Sequence, residues 1–475
     1  MGAAMSVATV ELPERAAARV RRSAGWALVA LSLSTLLSSL GTSIANVAMP
    51  TLAQAFGAPF QDVQWIVLAY LLATTALVVA VGRLGDIVGR RRLMTTGILV
   101  FTAASLLCGA APTLGFLVAA RVAQGLGAAV MMALAVALAG EAGSKAKAGS
   151  TLGLLGTMSA VGTALGPSLG GALIAGVGWR AIFLVNLPIG LAAAFLVRRH
   201  LPPDPSPGTA DRPAFDKSGS LLLALTLVAY ALAMTPGRDG FGPVDAGLLV
   251  AALLGATAFA IVERRSASPL VRLDLFRQPV LAAGFAANAL VTTVVMATLV
   301  VGPFHLSGAL ALDAAQAGLA MSCGPLVAAL AGVPAGRLVD RLGAARMVDA
   351  GLALMAIGAS TLPLMPISLG VFGYVVPLAV VTAGYALFQA ANGTAVMAQA
   401  DPTQRGVVSG LLNLSRNLGL VTGASAMGAV FAAGAATSDV ASADPAAIAA
   451  GMRAAFVVAA GLVAIAIAVT VASRR

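Results

Sequence analysis

One arginine stands inside an otherwise apolar run, Leu117-Val-Ala-Ala-Arg121-Val-Ala-Gln124-Gly125-Leu-Gly127. On a helix Gln124 and Gly125 share its face at i+3 and i+4. A guanidinium in hydrocarbon costs about 2.5–3.5 kcal/mol on insertion scales, so Arg121 must face neighbouring helices or water. It is either a functional charge or a structural arginine bonded to backbone carbonyls of the first apolar run. A second set of charges lies in Gly82-Arg-Leu-Gly-Asp86-Ile-Val-Gly89-Arg90-Arg-Arg92, where Asp86 and Arg90 are four apart and can pair. A third pattern, Gly162-Thr-Ala-Leu-Gly166-Pro167-Ser-Leu-Gly170-Gly171, repeats glycine at i, i+4 and i+8. That spacing makes a smooth stripe for close helix approach, and Pro167 removes one helical hydrogen bond and permits a bend. The residues of hydrolytic or metal chemistry are missing. There is no H-E-x-x-H and no G-x-x-x-x-G-K-[ST] segment, and His200 and His305 are far apart. Cys108 and Cys323 lie in apolar runs and read as small hydrophobes. No metal, no cofactor and no enzymatic activity are expected.

The elements that carry these residues follow from composition. Of 475 residues 59% are hydrophobic and 10% charged, and mean hydropathy is +0.95. A soluble domain is roughly 25% charged, so this chain could not cover a water-facing surface. It is read as an all-α polytopic membrane protein, rich in glycine (53) and proline (23), which permit close helix contacts and breaks. Disorder, collagen and a disulfide scaffold are excluded. The net charge of +11 would suggest nucleic acid in a soluble protein; here it reports topology, and no nucleic-acid partner is expected.

At about 20 apolar residues per crossing, fourteen transmembrane helices are counted: 25–48, 63–81, 93–111, 114–140, 150–176, 180–197, 219–235, 244–262, 279–304, 313–335, 347–364, 371–397, 406–433 and 449–472. An even count puts both termini on one side. Of the 29 basic residues, 24 fall in one set of loops. The opposite loops hold only Arg180, Arg238 and Arg453, and Arg121 and Arg416 lie inside spans. The positive-inside rule makes the first set cytoplasmic. Trp26, Trp65 and Trp179 fall at span ends, where indoles favour the interface.

Gly336-Arg-Leu-Val-Asp340-Arg-Leu-Gly343 repeats the Gly82–Arg92 segment at Gly, Arg, Leu, Asp and Gly. Each follows the second span of a six-span block. The chain therefore divides into a cytoplasmic tail (1–24), a six-helix half (25–197), a cytoplasmic loop (198–218), inserted helices 7 and 8 (219–263), a cytoplasmic linker (264–278) and a second six-helix half (279–475). Related halves with a site between them are a transporter architecture.

These motifs together resemble the major facilitator superfamily, and in it the fourteen-helix drug:proton antiporters of the EmrB/QacA type. The resemblance covers nearly the whole chain. It implies a major facilitator fold of two six-helix halves plus two central inserted helices, in a cytoplasmic membrane with both termini inside. Gly82, Asp86, Gly89, Arg90 and Asp340 would form the cytoplasmic gate, the aspartate capping a helix of the other half. Arg121 and Gln124 would serve proton coupling. Gly162, Gly166, Pro167, Gly170 and Gly171 match the antiporter signature, which favours export over uptake. Trp179-Arg-Ala-Ile-Phe-Leu-Val-Asn186-Leu-Pro188-Ile-Gly190 is similar to the sixth-helix signature, its Pro and Gly read as packing elements.

The first span departs from the family, with Gly41 where many members carry an aspartate. No carboxylate lies at mid-membrane; Asp62, Asp313, Glu141 and His305 lie at span edges, and Asp313 with Gln316 reads as a capping box. Arg416 either snorkels to the cytoplasm or bonds the opposite half. Asn46, Tyr70, Met131, Met158, Asn288, Gln389 and Asn392 are candidates for a cavity, mostly apolar and without negative charge, suited to amphipathic, neutral or weakly charged molecules. The expected function is export of drug-like organic molecules by proton antiport, the expected partners a small organic substrate, protons and the lipid bilayer, and the expected state a monomer. The alternatives are a proton-coupled transporter of one metabolite and a non-transporting sensor on the same scaffold.

Overall fold

The computed structural model describes residues 14–142, 148–204, 217–234, 242–266, 273–400, 405–436 and 443–474; some helical side chains, those of Asp86 and Glu141 among them, lie outside the description. All regular structure in it is helical. The chain runs α1 (Glu14–Val47), α2 (Met49–Phe56), α3 (Phe60–Val88), α4 (Arg90–Gly109), α5 (Leu114–Ala142), α6 (Ala148–Gly176), α7 (Ala181–Leu184), α8 (Asn186–His200), α9 (Lys217–Ala233) and α10 (Pro243–Arg265). It continues with α11 (Pro279–Phe304), α12 (Ala314–Leu342), α13 (Ala344–Thr361), α14 (Gly370–Gln399), α15 (Arg405–Thr422), α16 (Gly428–Gly434) and α17 (Pro445–Ala472). Among the described residues twelve helices are long and apolar enough to cross a membrane, and two shorter apolar helices cover Val161–Gly176 and Ser218–Ala233.

Helix is the form that satisfies every backbone group inside hydrocarbon. Side-chain hydroxyls in these helices are neutralised the same way. In α1 the hydroxyls of Ser34, Ser38 and Thr42 donate to the carbonyls of Ala30, Ser34 and Ser38, four residues back, at 2.9–3.1 Å. A serine-rich run is thereby made compatible with a buried helix.

The packing pattern recurs along the chain. α1 packs on α6, α8 and α5, while α4 packs on α5 and α8 and α3 on α5. In the later part α11 packs on α15, α17 and α14, while α13 packs on α14 and α17 and α12 on α14. The two groups meet through α6 against α12 and α3 against α15. α9 and α10 pair with each other, and α9 leans on α3. Only 6% of the apolar window of α10 is buried, so nearly all its surface is left for lipid.

The two repeated loop segments adopt one geometry. α3 ends at Gly89 with φ 100° and ψ 128°, and α12 ends at Gly343 with φ 87° and ψ 144°. Both joints lie at positive φ, where only glycine is at ease, and a new helix starts on the next residue. The bundle has an arginine-rich end, where α1, α4 and α13 begin and α3, α8 and α17 finish, and an arginine-poor opposite end. At the rich end the Trp26 indole stacks on His200 with centroids 6.0 Å apart, and Arg474 pairs with Asp349 at 2.7 Å.

Asp204, in the segment read from sequence as loop, caps the first turn of α4. Its carboxylate accepts the backbone N–H of Arg91 at 2.7 Å and of Arg92 at 3.0 Å, and a β-carbon on Gly89 would come within 2.5 Å of it. A carboxylate on a helix N-terminus is favoured by unpaired amides and the helix dipole together. Asp204→Ala is expected to destabilise the protein by about 1 kcal/mol, while Asp204→Asn retains part of that. Thermal unfolding of the purified variants checks this.

At the arginine-poor end Asp313 is the N-cap of α12, and its carboxylate and the Gln316 side chain each bond the other's backbone amide, at 2.8 and 3.2 Å, as the spacing predicts. Phe60, Phe304 and Phe431 form an aromatic cluster there, with Phe60 4.8 Å from Phe304 and 5.6 Å from Phe431. Two π-helical turns flank it, His305–Ala309 after α11 and Gly423–Met427 before α16. A π turn displaces the regular carbonyl pairing. At the second of them the Gln64 amide, from α3, donates to the Ala424 carbonyl.

Candidate functional site

Arg121 is fully buried in α5 and holds three helices together. Its Nε donates to the Ile66 carbonyl of α3 at 2.8 Å, and Nη1 donates to the Gly41 carbonyl of α1 at 3.1 Å and to Gln124 Oε1 at 2.6 Å. The guanidinium carbon lies 4.2 Å from the centre of the Tyr70 ring. Tyr70 in turn donates its hydroxyl to the Ser38 carbonyl at 2.8 Å. Gln124 is locked from behind, since its Nε2 donates to Ser105 Oγ at 2.7 Å. Nη2 alone is buried without a partner. A cation without a carboxylate is thus satisfied by carbonyl dipoles and a π face, both stronger where water is excluded. The carbonyl bond to the first span, which sequence left as one of two alternatives, is present.

Gly41 accepts that bond with its own carbonyl. A β-carbon there would meet Phe101 at 3.2 Å and the Tyr70 hydroxyl at 3.3 Å, so a larger residue would abut the same aromatic shelf. Gly125, next to Gln124, lets α5 approach α3, a β-carbon falling 2.5 Å from the Tyr70 carbonyl.

The glycines of α6 divide between two neighbours. A β-carbon on Gly162 would lie 2.5 Å from the Leu36 carbonyl, and one on Gly170 would lie 2.7 Å from Val47, both on α1. A β-carbon on Gly166 would strike Ser43. Gly171 instead faces α12, against the Ala314 backbone. Gly318 of α12 answers it, with the Pro167 carbonyl and the Gly171 Cα in its way. Pro167 lies inside the helix. In α8, a β-carbon on Gly190 would strike Thr102 of α4, a packing role for that signature.

Of the gate residues, Gly82 and Asp86 are helical in α3, Gly89 is the joint, Arg90 opens α4 half-buried and Asp340 is exposed near the end of α12. The Asp86 side chain lies outside the described residues.

The seven proposed cavity residues do not come together. Met131 and Asn46 are fully buried, and Asn46 donates to the Thr42 carbonyl at 2.8 Å. Asn288 joins α11 to α15 through the Leu412 carbonyl (2.9 Å) and Ser415 Oγ (2.8 Å), and Asn392 joins α14 to the Gly284 carbonyl of α11 at 3.1 Å. Tyr70 serves Arg121, and Met158 is half-buried on α6. Gln389 donates to the Tyr385 hydroxyl at 2.8 Å. A small cavity of about 80 Å³ between α6, α11, α12 and α14 is lined instead by Thr163, Thr298, Met321, Tyr374, Thr382 and Tyr385 among others. Buried amides in a low-dielectric bundle must find partners, and a neighbouring carbonyl was nearer than the cavity. Thr163 was within reach of sequence reasoning, since it follows Gly162 in the glycine motif. Arg416 is half-buried in α15, and its Nε has no partner among the described residues.

Comparison with known proteins agrees with this architecture. Residues 31–424 and 281–475 match the Major Facilitator Superfamily model. A drug efflux pump, JefA of Mycobacterium tuberculosis, is 34% identical over 421 residues, covering 86% of this chain and 80% of that protein. The riboflavin transporter RibZ of Clostridioides difficile is 30% identical over 405 residues, covering 85% and 88%. A bacterial homologue of the human lysosomal transporter Spinster, solved inward-facing and unoccupied, superposes with TM-score 0.67 at 17% identity over 95% of this chain and 97% of that one. The fold, the twelve long apolar helices and these relatives make the chain a multi-pass membrane transporter that belongs to the major facilitator superfamily.

Proposed function

We propose that the chain is a fourteen-helix exporter of small organic molecules, driven by proton antiport. Its spans are the twelve long helices plus the two shorter apolar ones at α6 and α9. Two six-helix halves, 25–197 and 279–475, flank the inserted pair α9–α10, and the protein acts as a monomer. The arginine-rich end faces the cytoplasm, with both termini, and Gly82, Asp86, Gly89, Arg90 and Asp340 close that end when the other opens. Arg121 and Gln124 couple the proton.

The observation that carries the export reading is the glycine face of α6. The residues that match the antiporter signature are the ones at which α6 touches α1 and, through Gly171, α12 of the other group. The sequence relatives described as efflux pumps support the same direction. The riboflavin transporter, similar over nearly as much of the chain, favours a second reading, export or uptake of one metabolite.

The test is a growth-inhibition panel in an efflux-deficient bacterium, with neutral, monocationic, dicationic and anionic drugs and Arg121→Ala as control. Raised tolerance to one class, abolished by the variant, supports export. No shift with protein in the membrane moves the reading to a single metabolite. The same panel tests Gly41. Its β-carbon direction points at Tyr70 and Phe101, on the side where Arg121 bonds, so Gly41→Asp adds an anion to a site that has none. Tolerance to lipophilic dications is expected to rise, and unchanged tolerance counts against a role for position 41 in substrate charge selection.

A further inference from the structure

A second cavity of about 390 Å³ opens at the arginine-poor end, between the end of α11, the 362–370 segment and the first turns of α17. Its walls are apolar, with Leu362, Met365, Ile367 and Met452 among them, and two polar groups converge on it, His305 and Arg453. His305 sits on the π turn and is only 8% exposed, yet its Nδ1 makes no hydrogen bond. Arg453 lines the cavity and is exposed, without an ion pair or hydrogen bond among the described residues. No carboxylate is among the described lining residues. A buried polar group without a partner is costly, and an unpaired cation beside it on an apolar wall is a complementary surface for an anion. The volume falls within the roughly 300–1,000 Å³ of small-molecule sites.

The cavity is one ring pair away from the interior. Tyr374 lines the small central cavity, and its ring lies 6.0 Å from that of His305, which lines the outer one. The Tyr374 hydroxyl is held by the Thr298 carbonyl at 3.2 Å, and the Tyr374 and His305 rings together stand between the two spaces.

We propose that this cavity is an exit subsite for an anionic group carried on an apolar body, held by Arg453 and His305 and separated from the central cavity by Tyr374. Its place on an exit route rests on the export reading; the binding itself does not. The anion comes either from a water-soluble organic acid or from an anionic lipid.

The test is equilibrium dialysis of 2-naphthoate, 2-naphthylmethylammonium and 2-naphthalenemethanol against the full chain in phosphatidylcholine nanodiscs, with empty nanodiscs subtracted. Naphthoate is expected to bind more tightly than the other two. Arg453→Gln and Ala446→Trp, which obstructs the exposed mouth, are each expected to weaken naphthoate at least fivefold. Arg180→Gln, the same charge change at the same end beside Trp179, is expected to leave it unchanged. Absent naphthoate binding, equal binding of the cation, or affinity unchanged in Arg453→Gln overturns the proposal. A repeat in phosphatidylglycerol nanodiscs separates the sources: competition assigns the site to lipid, and its absence to a soluble organic anion. Export is read independently in the growth panel, so either conclusion can fail alone.

Discussion

Arg121→Ala is expected to abolish transport while the protein still reaches the membrane. The substitution removes the only group that bonds the Ile66 and Gly41 carbonyls and Gln124 together. Both carbonyls keep their own helical amides as partners, so helix α5 loses a tie and a charge but no backbone ladder. Removing an isolated buried cation also relieves its insertion cost, which limits the damage to folding. Function has no such relief, because the positive charge over the Tyr70 ring is the only full charge described in that part of the bundle. A loss of at least about 100-fold in flux is expected, equal to about 2.7 kcal/mol at 1.36 kcal/mol per decade. Arg121→Lys should be nearly as defective, since an ammonium cannot reach two helices and Gln124 in one planar fork. The measurement is drug efflux normalised to membrane protein, with thermal unfolding of the same samples. Full export by a stable Arg121→Ala protein would end the coupling assignment and leave a structural tie.

Gly171→Val has the second largest effect, and for the opposite reason. The residue touches backbone, not a side chain. A β-carbon there meets the Ala314 carbonyl carbon and the Ala315 Cα, each at 3.2 Å. Backbone atoms of a helix cannot rotate away, so α6 and α12 must separate. Overpacking of this kind costs about 1–3 kcal/mol, and here it falls on a contact between the two groups rather than on either group's own core. The conformer closed at the arginine-poor end is disfavoured, and flux is expected to fall at least about tenfold. Gly318→Val should reproduce the effect from the other side. Gly461→Val, which meets nothing within 4 Å, should leave flux unchanged. Cross-linking of cysteines placed at Phe60 and Phe431 reports closure directly; undiminished cross-linking and flux in Gly171→Val would show that the crossing tolerates a wedge.

Much of this arrangement is legible in the amino-acid sequence. The apolar runs gave the helices because their length and hydropathy leave few alternatives. The Arg121–Gln124 pair followed from helical spacing, and the Asp313–Gln316 cap from a local rule. Gly89 and Gly343 could be matched as a repeat, although their shared positive φ could not be read. What stayed hidden depends on contacts between distant residues. That Tyr70 would lie under Arg121, that Ser105 would hold Gln124, and that Asp204 would reach back over a hundred residues to cap α4 are facts of packing, not of spacing. The cavity residues show the limit most clearly. Asn288 and Asn392 are the right type for a lining, but composition does not say whether an amide faces open space or the next helix. In hydrocarbon the next helix is the stronger attraction, and both amides went there.

The hub at Arg121 and the bare glycine crossing at Gly171 and Gly318 differ in kind, and the difference has a mechanical meaning. One side chain pins α1, α3 and α5 to each other at directional bonds that do not stretch, so those three helices cannot slip individually. At Gly171 and Gly318 the crossing is backbone against backbone, with no side chain of either glycine to unlatch before one surface turns over the other. The molecule therefore has a stiff frame and a smooth bearing. Any turning of one group over the other must pass this crossing, where the glycines at 171 and 318 protrude least.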